Sequence, residues 1–286
     1  MRRFALFCGR PECTLELMRK GFLRSSFTAL LLAALPCCLF AQPAPAALAA
    51  FQAYATATEA RLARQHQSRN TFLAFAAHEP AAETARLGTG EVVIEQLTTR
   101  SGAVTAGSLL HHWRGTAFVP GAKATDFVQL MQDYNNYPRY FAPQVLRARL
   151  ISRSADRLQA SMRVRQHHGI TVVMDTDYDI AYEKLDAQHG YSSSRSTRIA
   201  EIASPGSPTE HALSPGAAHG FLWRLNTYWS YEEKDGGLYL QIETVSLTRD
   251  IPAGLKWLIG PYVESIPRES MEFTLRAACN ALRAHR

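Results

Sequence analysis

The chain has 286 residues, 47% of them apolar and 20% charged, which fits one or two globular domains with a real core. Its formal net charge of +6 is unevenly placed: six cations and two acids in residues 1–41 leave +4 there and only +2 for the rest. That distribution excludes a nucleic-acid partner argued from basicity.

The basic opening has its own explanation. "MRKGFLRSSFTALLLAALPCCLFAQ" has a positive start, an apolar run from Phe27 to Phe40 and a small residue at Ala41, the layout of a secretory leader. The run is short for a membrane span, and Pro36 interrupts it. The pattern predicts cleavage after Ala41 and an exported, periplasmic or secreted protein. Four cysteines, Cys8, Cys13, Cys37 and Cys38, precede that cut, so Cys279 alone remains and the exported form has no internal disulfide. Cys279 sits near an apolar stripe and reads as buried and inert.

"QPAPAALAA" then reads as a linker. Leu48, Phe51, Tyr54, Thr58 and Leu62 recur near helical spacing and predict a helix over about 46–66. "HEPAAETARLGTG" reads as loop, "EVVIEQLTT" as a short strand and "RSGAVTAGS" as a connection. "LLHHWRGTAFVPG" is a strand ended by Pro120 and Gly121. In "TDFVQLMQDYNNYPRYFAP", Thr125 is placed to cap a helix with Phe127, Leu130, Met131 and Tyr134 on one face. Pro138 suits the first turn of a second short helix, and Pro143 stops it.

Six strands follow, near 145–153, 158–168, 170–183, 190–202, 221–233 and 238–248. The turns "SAD", "HG", "DAQ" and "KDGG" are short, which favours antiparallel hairpins. "SPGSPTEHALSPGAAHG" is the one long loop. Ile170, Val172, Met174, Tyr178, Ile180 and Tyr182 alternate onto one face; Phe221, Trp223, Leu225, Trp229 and Tyr231 do the same in another strand. Each strand should then have one apolar and one wet face. The last helix, opened by Ile266 and Pro267 and lined by Met271, Thr274, Leu275, Ala278 and Leu282, is the natural cover for the apolar side. Pro261 should separate it from the apolar turn before it.

Several motifs have a bland reading beside a chemical one. Asp175, Asp177, Asp179, Glu183 and Asp186 match calcium-loop spacing, but Ile180 occupies the glycine position and the flanks are strand, so they read as a solvated outer face. His111–His112 and His167–His168 point to opposite faces in pairs with no cysteine nearby, so no metal is expected. No G-x-S-x-G elbow is present. In "YSSSRSTR", Ser192, Ser194 and Ser196 alternate with Ser193, Arg195 and Thr197, and one set must face inward. Glu243, Arg224 and Asp179 remain candidates for acid–base work, their pairing across strands being open. Trp113, Tyr178, Trp223, Trp229, Tyr239 and Trp257 either fill the core or line a cavity.

The order strand, two short helices, six strands, long helix resembles the helix-grip fold of the START/SRPBCC superfamily, the lipid-transfer and polyketide-cyclase-like group. The resemblance covers about residues 105–286 and is carried by "LLHHWRGTAFVPGAKATDFVQLMQDYNNYPRYFAPQV", "GFLWRLNTYWSYEE" and "LYLQIETVSLTRDIPAGLKWLIGPYVESIPRESMEFTLRAACNAL". It looks most like exported bacterial members. The domain organisation is then a leader over 1–41, an added helix and strand over 42–104, and the START/SRPBCC-like domain over 105–286. The resemblance implies an α+β fold, a curved antiparallel sheet wrapped on a long C-terminal helix, with two short helices after the first strand. It also implies a cavity between sheet and helix for a lipid or other apolar small molecule. On that reading His111, Trp113, Met174, Tyr178, Arg195, Trp223, Trp229, Met271 and Leu275 line the ligand. No catalytic residue, cofactor or metal is assigned, and any membrane contact is expected to be transient. Two other readings stay open: a cyclase- or dehydratase-like enzyme in the same cavity, and an envelope interaction protein that uses the helix over 46–66 as contact surface.

Overall fold

The computed structural model describes residues 42–68, 71–74, 80–97, 103–105, 107–168, 170–250 and 256–284. The leader expected over 1–41 lies outside the described residues, as does the Trp257 side chain. Ten strands form one antiparallel system: β1 (Val93–Gln96), β2 (Ala103–Thr105), β3 (Ser108–Pro120), β4 (Val145–Ser154), β5 (Arg157–His168), β6 (Ile170–Lys184), β7 (His189–Ala203), β8 (His211–Ala212), β9 (Arg224–Lys234) and β10 (Gly237–Arg249). The main path runs β1-β3-β10-β9-β7-β6-β5-β4, with β2 beside β3 and β8 beside β7. Among the described residues five helices complete it: α1 (Pro45–His66), α2 (Pro80–Gly88), α3 (Ala124–Gln132), α4 (Tyr137–Tyr140) and α5 (Lys256–Ala284), with a 3-10 turn over Tyr134–Asn136. This is the expected helix-grip arrangement, a large curved, unclosed sheet with a long C-terminal helix against it.

Alternation along the strands gives the sheet two distinct faces. The inner face carries Trp113, Ala117, Tyr178, Ile180, Trp229, Tyr231, Leu240 and Ile242, which join Met271, Leu275, Ala278 and Leu282 of α5 in one buried cluster. Phe127 of α3 packs on Trp229 with ring centroids 5.3 Å apart. Gly115 lets α5 approach β3: a Cβ there would lie 3.1 Å from Met271 Sδ and 3.2 Å from Leu275 Cδ2. A larger residue would push the helix away. Cys279 is buried in this cluster, and burial raises its thiol to about 11.

The outer face departs from the expected wet surface over β3, β9 and β10. Phe51 and Leu62 of α1 pack on Leu110, Trp223, Tyr228, Val245 and Leu247. The apolar stripe of α1 is therefore spent inside the molecule, which removes it as a contact surface for an envelope partner. The described residues of 42–104 share one compact unit with the described residues that follow, since β1 pairs with β3 in the same sheet and α1 covers that sheet. Farther along, over β5 and β6, the outer face is charged as expected. Asp175 pairs with Arg163, Asp177 with Arg198, and Asp179 accepts from Gln159. Glu183 accepts from its cross-strand neighbour Tyr191, and Asp186, in the turn after β6, accepts from the backbone N–H groups of Gln188 and His189, so each would-be calcium carboxylate is already engaged.

Three local expectations change. The stretch expected to be loop holds α2, which opens on Pro80, has Glu83 in its first turn and Arg86 in its last, and buries Leu87 beside Phe118 and Tyr239. α5 runs unbroken through Pro261 and Pro267. Each proline removes one bond, to the carbonyls of Trp257 and Val263, and the buried stripe from Met271 to Leu282 outweighs that loss. α3 starts at Ala124, not after a Thr125 cap, because Asp126 accepts from the Lys123 backbone N–H at 3.2 Å.

Candidate functional site

The inner face is not uniform along its length. One transverse row runs Gly115, Ile242, Trp229, Ser192 and Tyr182. It is closed by α5 and α3, with Ile242 at 2% and Trp229 at 4% exposure. The next row runs Trp113, Thr244, Thr227, Ser194 and Ile180. Here Thr244, Thr227 and Ser194 are half-buried, three adjacent hydroxyls on neighbouring strands. At the end of that row the Trp113 indole N–H is buried without a partner among the described residues. An unsatisfied buried donor costs about 1–3 kcal/mol, so it marks a place where an acceptor would be favoured.

One row further lie His111, Ser246 and Leu225. The His111 Nε2 is 3.2 Å from Thr248 Oγ1, and burial lowers its pKa to about 4, so the ring is neutral at pH 7. Leu225 donates its backbone N–H to Ser196 Oγ at 2.9 Å. The inward serine set is thus Ser192, Ser194 and Ser196. The strip combines an apolar wall (Trp113, Tyr178, Leu225, and Met174 by alternation with Tyr178) with a few hydroxyls and one free donor.

Of the nine residues assigned to the ligand, five lie on this inner face, His111, Trp113, Met174, Tyr178 and Trp229, and two, Met271 and Leu275, face it from α5. Trp229, Met271 and Leu275 belong to its filled half. Arg195 and Trp223 lie on the opposite face, which corrects their assignment. Arg195 alternates with the inward serines and its Nε donates to Glu59 of α1 at 2.8 Å. Trp223 precedes the first residue of β9, so strand alternation does not fix it, and it packs with Phe51 and Leu247 under α1. Phe221 leaves the inner face for the same reason and is 41% exposed.

The acid–base candidates also face outward. Glu243 is 1% exposed beneath α1. Its Oε2 lies 2.9 Å from His112 Nε2 and accepts from Arg61 Nη2, and its Oε1 lies 3.7 Å from Arg114 Nη1. Tyr54 Oη is 3.0 Å from His112 Nδ1. Burial pushes the Glu243 carboxyl up, but the His112 hydrogen bond and the Arg61 and Arg114 charges outweigh it and leave it below the usual carboxylate range. This buried tyrosine–histidine–glutamate–arginine cluster was not legible in the sequence, because its members come from α1, β3 and β10. The one available signal was the adjacent pair His111–His112, which places a histidine on each face.

A further anchor was also missed. Glu201, 5% exposed, accepts from the backbone N–H groups of His219, Gly220 and Phe221 and from His219 Nδ1, at 2.8–3.1 Å. It pins the end of the long Pro/Gly loop to β7.

Two hollows are best developed among the described residues. One, about 500 Å³, lies on the outer side between Leu48, Phe51 and Gln52 of α1 and Asp179, Arg195 and Arg224. The other, about 80 Å³, lies beside Ala117, Phe118, Arg276 and Cys279. The larger mixes apolar side chains of α1 with polar side chains of the sheet and is not the space between sheet and α5. No group of three or more His, Cys, Asp or Glu among the described residues could hold a metal ion.

No known family profile matches the chain, and no curated protein matches it. Among solved structures it is similar to a STAR-related lipid transfer protein fragment from Xanthomonas axonopodis, at 18% identity and TM-score 0.43, over 66% of this chain and 98% of that one. It is also similar to the Zhui aromatase/cyclase from a Streptomyces species, at 13% identity and TM-score 0.42, over 62% of this chain and 96% of that one. Human STARD10 matches at 11% identity and TM-score 0.40, over 72% of this chain and 81% of that one.

Proposed function

We propose that this chain is an exported, non-enzymatic binder of a lipid or other apolar small molecule, held against the inner face of the sheet beside α5. The observation that carries the reading is the strip next to the filled core: half-buried Thr244, Thr227 and Ser194 ending at the buried Trp113 N–H, which has no partner among the described residues. Ligand sites are mostly apolar with a few placed polar groups, and this strip has that make-up. Burial of apolar ligand surface would supply about 25 cal/mol per Å² before the costs of association. The neutral His111 ring leaves the inner wall without a charge at that point. The cyclase- or dehydratase-like alternative needs an inward acid–base pair, and Glu243 and Arg195 both face the α1 side. Binding therefore has better support than catalysis.

Native mass spectrometry of the protein recovered from the periplasm tests both halves of the proposal. The expected result is a chain beginning at Gln42 that carries a lipid mass, and a Trp113→Phe variant that retains less of it. An uncleaved chain would sink the export reading. A clean apo mass, with no uptake from a bacterial lipid extract, would sink the ligand reading.

A further inference from the structure

The charge of this molecule is concentrated at one sheet edge. Residues 139–165 hold seven arginines (Arg139, Arg147, Arg149, Arg153, Arg157, Arg163 and Arg165) and a single acid, Asp156. They flank β4, which ends the main strand path and has β5 on one side alone among the described residues. Arg163 is occupied by Asp175 and Glu210, and Arg147 lies 3.8 Å from the same Glu210. Arg149, Arg153 and Arg157 are exposed and form no ion pair with a carboxylate among the described residues.

The same strand exposes apolar side chains by a specific device. The β4–β5 register slips twice, once between Val145 and Arg147 and once between Leu150 and Ser152. Leu146 and Ile151 are the extra residues at those two bulges and have no partner across the ladder. They are 37% and 52% exposed, two of the four large hydrophobic side chains that face solvent among the described residues. Bulges and arginines on a free edge are also how proteins block strand-to-strand aggregation. That accounts for the charges and the slips, but not for leucine and isoleucine at both slips, where a polar residue would guard the edge better.

We infer that the β4 edge is a docking surface for an acidic lipid bilayer. Arg149, Arg153 and Arg157 would meet the lipid phosphates, while Leu146 and Ile151 enter the headgroup–acyl boundary. A nucleic acid would complement the arginines but gives two exposed aliphatic side chains nothing to enter. The attraction is short-ranged and screened by salt, so the contact is reversible. No described helix is long and apolar enough to cross a membrane.

Vesicle co-sedimentation of the full chain decides the matter. Vesicles of phosphatidylcholine are compared with vesicles of phosphatidylcholine mixed with phosphatidylglycerol. The expected result is binding to the acidic vesicles that falls steeply as salt rises, with little binding to the neutral ones. At about five-fold per surface arginine, the variant Arg149→Glu/Arg153→Glu/Arg157→Glu should bind at least about a hundred-fold more weakly. Leu146→Ser/Ile151→Ser should bind several-fold more weakly at every salt concentration. All five positions are exposed, so both variants should melt as the parent does. Equal binding to the two vesicle types, no binding to either, or a triple variant that binds like the parent overturns the inference. Duplex DNA of random sequence binding more tightly than the acidic vesicles would overturn it too.

Discussion

The two faces of the sheet solve the same burial problem by different chemistry. The inner face is closed by shape: α5 presses Met271 and Leu275 onto Gly115, and Phe127 seals Trp229. The outer face is closed by charge: α1 lies across β3 and β10 over a buried carboxylate that His112, Arg61 and Arg114 compensate. Packing of the first kind weakens gradually when atoms are removed. A buried ionic cluster fails abruptly when one member goes, because the others are left uncompensated.

The sharpest test of that contrast is Glu243→Ala. It should destabilise the fold by about 4 kcal/mol, read from urea unfolding midpoints. Replacing the cluster together, as Arg61→Met/His112→Phe/Glu243→Leu, should recover most of that loss. A cost below about 1 kcal/mol for the single change would mean that apolar contacts, not charge, hold α1.

Acid separates the faces next. His111 on the inner face and His66 at the end of α1 are both held neutral by burial, each with a pKa lowered to about 4. The unfolded chain binds these protons first, near the ordinary histidine value, so stability is full above about pH 6.5 and is lost as pH falls toward 4. His111 should account for about 3 kcal/mol of that loss. Melting temperature against pH for His111→Gln should show a flatter slope across this window, with the His66 share left in place. An unchanged slope would show that His111 accepts its proton without cost to the inner wall.

The smallest effect belongs to the rim of α1. Glu59 bonds Arg195 and accepts from Tyr228 Oη at 2.9 Å, yet the Arg195 side chain is 46% exposed. Glu59→Gln should cost less than about 1 kcal/mol, measured against the same urea baseline. A cost near that of Glu243→Ala would extend the ionic hold out to the surface.

How much of this was readable beforehand follows from what strand periodicity can carry. Alternation placed Tyr178, Ile180, Trp229 and Tyr231 on one face, and the structure gathers them in one cluster. It failed at Trp223, where the alternating pattern was carried past the start of the strand. At Arg195 the pattern requires that one serine-containing set face inward but does not say which, and the structure turns Ser192, Ser194 and Ser196 inward and Arg195 outward. The helix over Pro45–His66 was legible from its spacing. What it covers was not, because Arg61, His112 and Glu243 lie far apart in the chain and meet through tertiary packing alone. The hydroxyl row of Ser194, Thr227 and Thr244 likewise depends on register between three strands, which sequence does not specify.

Glu201 gathers three successive backbone amides at the end of the long loop, and β8 ties the middle of that loop to β7. Loop closure grows slowly with length, at about 0.6 kcal/mol per doubling. The exposed tip at Pro208 and Thr209, just before the Glu210 that pairs with Arg163, is therefore a natural splice point. A reporter or affinity module grafted there would be carried by the carboxylate clasp and the two-residue ladder on its far side, leaving the sheet's own wiring intact.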